Sequence, residues 1–258
     1  MSGVRDDSAK AELWDPSTNT WRATASLNRP RADFAAVALA DGRVLVTGGL
    51  HRGAPTAGED PNHACIGQDS VSYSSTYLYD PRTGHETWSR TGLLGTARTD
   101  PAIAVLPDGR VLVTGGYYES GMTSLTGDVT LADVGPDFTV PPLATAELFD
   151  PATGTWSSTG PMHYARYGAA AATLADGRVL VAGGDTFDSV TRSAALYDPA
   201  SNSWSTLPPM PEPRAGGATV ALPDGSVLLV GGHDNLQGDA ACNAPQGLAS
   251  TLRFVPSR

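Results

Sequence analysis

Four arginines stand at one recurring place in this chain: Arg31, Arg98, Arg166 and Arg214, each ten residues after a tryptophan. A guanidinium presents a planar fork of donors that takes a carboxylate, a sulfate or an acidic peptide bidentately. Several of them around one opening make a candidate oxyanion site. A repeated residue also serves the repeat, and an arginine bonded to local carbonyls or carboxylates would do that. Asp33 and Asp100, two residues beyond Arg31 and Arg98, suit this structural role. Arg166 and Arg214 are followed at the same place by Gly168 and Gly216, which leaves them the freer pair for a ligand.

Other chemistry-bearing residues gather near recurring Gly-Gly pairs. His51 and His233 follow such pairs closely, and His63 lies in the same stretch as His51. Their spacing pairs no two of them as metal ligands, so solvated loop histidines are the expectation and no metal is assigned. Tyr117 and Tyr118 can stack on a sugar or cover the edge of a sheet. Cys65 and Cys242 are the two cysteines, too few for a disulfide framework, but if the repeats close into a ring their loops would be neighbours and a disulfide would clasp the closure. That candidate disulfide would imply an oxidising compartment, extracytoplasmic or secreted. No nucleophile, Gly-rich phosphate or zinc motif is present, so no catalytic residue and no cofactor is assigned.

The elements that must position these residues announce themselves by counting. Aromatic-Asp-Pro followed by tryptophan occurs at Trp14 to Trp21, Tyr79 to Trp88, Phe149 to Trp156 and Tyr197 to Trp204. Twenty residues after each of those tryptophans stands Asp-Gly, beginning at Asp41, Asp108, Asp176 and Asp224. Twenty-seven after it stands Gly-Gly: Gly48 and Gly49, Gly115 and Gly116, Gly183 and Gly184, Gly231 and Gly232. Constant offsets across separate copies define an internal repeat.

Each landmark has a physical role. Asp-Gly between alternating apolar runs predicts a two-residue hairpin with positive φ at both central positions. The strand before it is rich in Ala and Gly, as in Gly168-Ala-Ala-Ala-Ala-Thr-Leu, which suits strands converging on an axis. The bulkier strand after it ends in Gly-Gly, where the backbone bends or meets a neighbour closely. The third strand stops at Asp-Pro, and the fourth carries Trp21, Trp88, Trp156 or Trp204, expected to wedge between adjacent sheets.

Arg…Asp-Gly-Arg-Val-Leu-Val-Thr-Gly-Gly…Tyr-Asp-Pro…Trp resembles the Kelch motif, in the bacterial style of the galactose oxidase propeller. The resemblance implies an all-β propeller of four-stranded antiparallel blades, a single domain over residues 1–258 with landmarks at 11–49, 77–116, 146–184 and 194–232. A partial strand at 251–256 keeps the aromatic position as Phe254 but replaces Asp by Val255. Only four Gly-Gly strands are present, so the expected object is a small closed ring or an open arc of a larger propeller, with the partial strand favouring the arc. Some Kelch domains are similar in using the arginine position to grip acidic peptides. The same resemblance raises a fragment of a carbohydrate or alcohol oxidase as the alternative function, although neither Cys65 nor Cys242 sits in a recognisable copper-site environment.

Nearly all length variation falls after Gly-Gly, in residues 50–75, 117–144, 185–192 and 233–249. Strand alternation puts these loops on one face, the natural place for a ligand. The expected function is therefore a non-catalytic recognition or scaffold module whose loops after Gly-Gly bind a protein or glycan. The formal charge of −10 argues against a nucleic-acid or anionic-lipid partner. No apolar run is long enough to insert in a membrane, and the polar start shows no signal peptide. Arginine so dominates lysine, Lys10 alone, that a GC-rich bacterial genome is the expected source.

Overall fold

A computed structural model of the chain describes residues 8–51, 71–82, 86–118, 142–186, 188–234 and 247–256. All regular structure among them is β. A first hairpin pairs β1 (Glu12–Asp15) with β2 (Thr20–Ala23). Three four-stranded antiparallel sheets follow. The first holds β3 (Ala35–Ala38), β4 (Val44–Thr47), β7 (Thr76–Asp80) and β8 (Thr87–Arg90). The second holds β9 (Ala102–Val105), β10 (Val111–Thr114), β11 (Ala146–Asp150) and β12 (Thr155–Thr159). The third holds β13 (Ala170–Thr173), β14 (Val179–Ala182), β15 (Ala194–Asp198) and β16 (Ser203–Leu207). A last sheet has β17 (Ala218–Ala221), β18 (Val227–Val230) and β19 (Thr251–Phe254). The two-residue strands β5 (Leu50–His51) and β6 (Val71–Ser72) pair above the first sheet.

These sheets are blades one to four of a β-propeller. Their Ala-rich first strands lie innermost and touch in sequence: β3 against β9, β9 against β13, β13 against β17. Small side chains permit that convergence, as the repeat predicts.

The seams follow from the period of two along a strand. In the second strands of blades two and three the leucine faces the following blade and the flanking valines face the preceding one. Leu45 and Leu78 of blade one thus pack on Val111, Val113 and Phe149 of blade two. Leu112 and Leu148 pack on Val179, Val181 and Tyr197 of blade three. Leu180 and Leu196 pack on Val227 and Leu229 of blade four. Sandwiched this way, β10 and β14 are buried along their whole length.

The tryptophans behave as seam residues in three blades. Trp88, Trp156 and Trp204 lie with ring centroids 5.0, 5.1 and 5.1 Å from Tyr79, Phe149 and Tyr197. Trp88 Nε1 donates to Ala25 O of the first hairpin, and Trp204 Nε1 to Gly160 O of blade two. Trp21 departs from this expectation. It sits opposite Trp14 and is 68% exposed, because no described blade precedes its hairpin.

The hairpin β1–β2 packs on blade one as the outer half of a further blade would. Thr24 Oγ1 meets Tyr79 OH, and Arg22 is ion-paired with Glu86. It does not complete blade four. There β19, the partial strand with Phe254, takes the third place beside β18. Among the described residues β17 does not stack on β3. Val220 and Val230, on the forward face of blade four, are 51% and 40% exposed. The described residues thus form an open arc rather than a closed ring.

One local expectation is corrected. The Asp-Gly turns are three-residue loops in which only Gly42, Gly109, Gly177 and Gly225 have positive φ. Gly42 N donates to Leu39 O and Leu39 N to Arg43 O, a type I turn closed by a left-handed glycine. The aspartate is there for its side chain: Asp41, Asp108, Asp176 and Asp224 each accept from the backbone N–H two residues on.

Candidate functional site

The arginine corners come first, since sequence offered them both as ligand candidates and as residues that hold the repeat. All four arginines are buried, with at most 3% exposure. Each sends Nη1 to the carbonyl of the first glycine in its own Gly-Gly pair: Arg31 to Gly48, Arg98 to Gly115, Arg166 to Gly183, Arg214 to Gly231. The backbone carbonyls of Arg98, Arg166 and Arg214 in turn accept from Gly49, Gly116 and Gly184 of the preceding blade. One residue type therefore ties its own blade by its side chain and the blade before by its backbone. A Cβ on Gly48, Gly115 or Gly183 would collide with those arginine carbonyls, which is why glycine is needed there.

Around the shared bonds the corners differ. Arg31 lies over the rings of Tyr73 and Tyr77, 4.9 and 5.1 Å from their centroids. Arg98 is paired with Glu147 at 2.9 Å rather than with Asp100. Arg214 reaches Glu212 and Ser250, so it is not free. Arg166, also expected to be free, bonds the carbonyls of Tyr164, Gly183 and Ser193. Among the described residues it pairs with no carboxylate, and burial pulls its guanidinium down to about 10. This geometry supports the blade-holding role for the arginines.

A different set of side chains converges at the inner ends of the blades, on the Gly-Gly face. Two residues beyond each arginine the backbone is left-handed, at Asp33, Asp100, Gly168 and Gly216, with φ of 51°, 51°, 60° and 65°. Backbone bonds run from blade to blade through these positions: Asp100 N to Asp33 O, Gly168 N to Asp100 O, Gly216 N to Gly168 O. They form a collar at the mouth of the propeller. Immediately outside it stand the residues that follow Gly-Gly, which are Leu50, Tyr117, Asp185 and His233, each bridged to the strand beside it.

Three of these positions form a polar cluster. Asp185 is 5% exposed and lies 3.2 Å from His233 Nε2 of the next blade. The Asp100 carboxyl leans over Gly168, whose missing side chain leaves it room. Tyr167 packs edge-on against Tyr117 at 5.0 Å and shares the field of Asp100 and Asp185. Burial, reinforced by Asp33 and Asp185 and opposed by His233, raises Asp100 to about 6. Burial also raises Asp185 against the pull of His233, and lifts the Tyr167 phenol to about 12. The mouth thus offers hydrogen-bond acceptors, an imidazole and an aromatic pair, with Asp185 buried and the others half-buried.

Sequence named Tyr117 and His233 but missed Asp100, Asp185 and Tyr167 as partners. The available signal was positional: Asp185 takes the place after Gly-Gly that His233 takes one repeat later. Tyr118, next in the chain after Tyr117, is half-buried. His51 lies in β5, whereas His63, Cys65 and Cys242 fall outside the described residues. Among the described residues no group of three or more His, Cys, Asp or Glu could hold a metal ion. No described helix is long and apolar enough to cross a membrane.

Comparison with known proteins agrees with this architecture. Residues 165–211, essentially blade three from its arginine through its tryptophan, match the Kelch motif family. Among solved structures the fold is similar to "Structure of YjhT", with 14% identity and a TM-score of 0.57. That similarity covers 97% of this chain and 95% of the other. No curated protein sequence matches the chain. Blade three thus matches the Kelch motif, and its arginine, Asp-Gly, Gly-Gly and tryptophan landmarks recur through the rest of the propeller.

Proposed function

We propose that this chain is a non-catalytic recognition module that binds a protein or glycan ligand on the Gly-Gly face of its propeller. The observation that carries the reading is the cluster of Asp100, Asp185, His233, Tyr167 and Tyr117 at the mouth. Repeat positions that serve the fold keep their residue from blade to blade, as the arginines, glycines and turn aspartates do. The position after Gly-Gly does not: it is Leu50, Tyr117, Asp185 and His233 in turn. One backbone geometry carrying four chemistries is what a binding face needs.

The cluster also opposes stability. Asp100 holds a left-handed backbone where glycine stands in blades three and four, and its carboxyl is held near other carboxylates. Groups kept where they burden the fold point to a use outside it.

Glycan and peptide arrays probed with the purified chain test this reading. Hits should weaken at least tenfold with Asp185→Asn, His233→Gln or Tyr117→Ala, a loss of about 1.4 kcal/mol. Arrays without hits, or hits indifferent to all three substitutions, would remove the assignment.

A further inference from the structure

The arginine corners of blades two and three share a frame but not its contents. In blade two the Glu147 carboxylate gathers three donors. Its Oε1 accepts from Arg98 Nη2 at 2.9 Å and from the Thr96 N–H at 3.3 Å, and its Oε2 from the Gly95 N–H at 2.6 Å. Blade three repeats the surroundings. Arg166 Nη1 donates to Gly183 O and Ser193 O as Arg98 Nη1 donates to Gly115 O and Thr145 O, all at 2.8 or 2.9 Å. The segment leading to the arginine is anchored alike at both ends. Leu94 N donates to Ser74 O and Arg98 N to Tyr73 O, while Met162 N donates to Ala144 O and Arg166 N to Leu143 O. So fixed, His163 and Tyr164 hold the places of Gly95 and Thr96.

The acceptor is what blade three lacks. Ala195 stands opposite Val181 as Glu147 stands opposite Val113, and it ends at Cβ. Arg166 is 1% exposed, yet its Nη2 meets no acceptor among the described residues, whereas those of Arg31, Arg98 and Arg214 meet side-chain oxygens. Ser193 Oγ, the counterpart of Thr145 Oγ1, is taken up by Thr191. Among the described residues the N–H groups of His163 and Tyr164 have no acceptor either. Unlike the Nε atoms of the other three arginines, Nη2 of Arg166 is not sealed in without a partner, so solvent reaches it. Blade four has also lost the glutamate, with Leu252 in its place, but there Glu212 supplies a carboxylate to Arg214.

We propose that the blade-three corner binds a small monovalent anion, a carboxylate or a halide, on Arg166 Nη2 and the N–H groups of His163 and Tyr164, in the place Glu147 fills in blade two. A buried guanidinium without a counter-charge burdens the fold, and burial already pulls this one down. Charge-assisted bonds from one cationic and two backbone donors relieve that burden, as they do when the anion is the chain's own glutamate. The site draws on none of the mouth side chains.

Broadening of the chloride nuclear magnetic resonance signal by the full chain, with formate as competitor, tests the site. Wild type should broaden the signal, and formate should reverse part of that width. Ala195→Glu supplies the carboxylate from the chain itself and should lose the formate-sensitive part. His163→Pro removes one donor at the place where blade four carries Pro211, so the backbone accommodates it. Its chloride affinity should drop about tenfold, the cost of one hydrogen bond to an ion. Glu147→Ala should gain formate-sensitive width by opening the equivalent place at Arg98. Wild type without formate-sensitive width overturns the site, as does the same width in Ala195→Glu or an unchanged chloride affinity in His163→Pro. The proline variant keeps the test decisive if Ala195→Glu or Glu147→Ala fails to fold.

Discussion

Arg98 Nη2 donates to Glu147 Oε1 across 2.9 Å, with side-chain exposures of 0% and 6%. The same carboxylate accepts from the backbone of Gly95 and Thr96, so one anion closes both a buried cation and the approach to the next innermost strand. Breaking a buried pair strands its partner, and Glu147→Ala should destabilise by about 3–5 kcal/mol. Urea unfolding followed by tryptophan fluorescence measures it. Replacing both partners with Arg98→Met and Glu147→Leu should be milder, although the carbonyls of Gly115 and Thr145 would still lose their donor.

The tryptophans should divide into two classes. Trp156 packs on Phe149 and borders the seam between blades one and two, so Trp156→Ala should cost about 3–5 kcal/mol. Trp21 is 68% exposed, and Trp21→Ala should change stability by no more than about 0.5 kcal/mol. Equal midpoint shifts for the two in denaturant would contradict the seam assignment.

Two glycines with similar backbone angles should respond differently to alanine. Gly109 has φ of 87° and open space where a Cβ would stand, so Gly109→Ala costs only the left-handed penalty of about 1–2 kcal/mol. Gly115 has φ of 67° and lies against the Arg166 carbonyl, so its alanine variant must also break the contact between blades. Thermal unfolding should rank Gly115→Ala well below Gly109→Ala.

Asp100 sets a pH dependence opposite to that of an ordinary salt-bridged carboxylate. Its folded pKa, about 6, lies above the usual carboxylate range, so the folded state holds the proton more tightly than the unfolded chain. The slope of stability with pH is then negative over that interval, and this contribution is lost as pH rises from about 4 through about 6. Asp100→Asn should therefore be more stable than the wild type above about pH 6 in urea titrations, with the gap closing in acid. A variant less stable than the wild type at about pH 7.5 would contradict the burial argument.

The propeller was legible because its landmarks are local. Tryptophan, arginine, Asp-Gly and Gly-Gly recur at offsets that one blade imposes by itself, so counting along the chain recovers strand order and blade number. The turn type was misread because Asp-Gly serves both two- and three-residue hairpins. The deciding feature, the Asp41 side chain accepting from Arg43 N, is a contact and not a spacing. The exposure of Trp21 was hidden for a related reason, since its motif matches the others and only the absence of a described blade behind it differs. The mouth cluster was the least accessible part. Asp100, Asp185 and His233 lie far apart in sequence, and the collar of backbone bonds is what gathers them. Composition likewise hid how Arg166 differs from Arg98, because Ala195 fills in blade three the place of Glu147 in blade two.

The three joints between blades one and four are made by the same handshake: leucines forward onto the apolar face of the next blade, and an arginine carbonyl on a glycine pair. Such a rule dictates the angle from one neighbour to the next and is silent on how many neighbours there are. A duplicated copy of blade three, spliced in beside the original, would meet matching surfaces on both sides. Growth or loss of whole units is thus a far gentler change for this architecture than a single misplaced side chain at a joint.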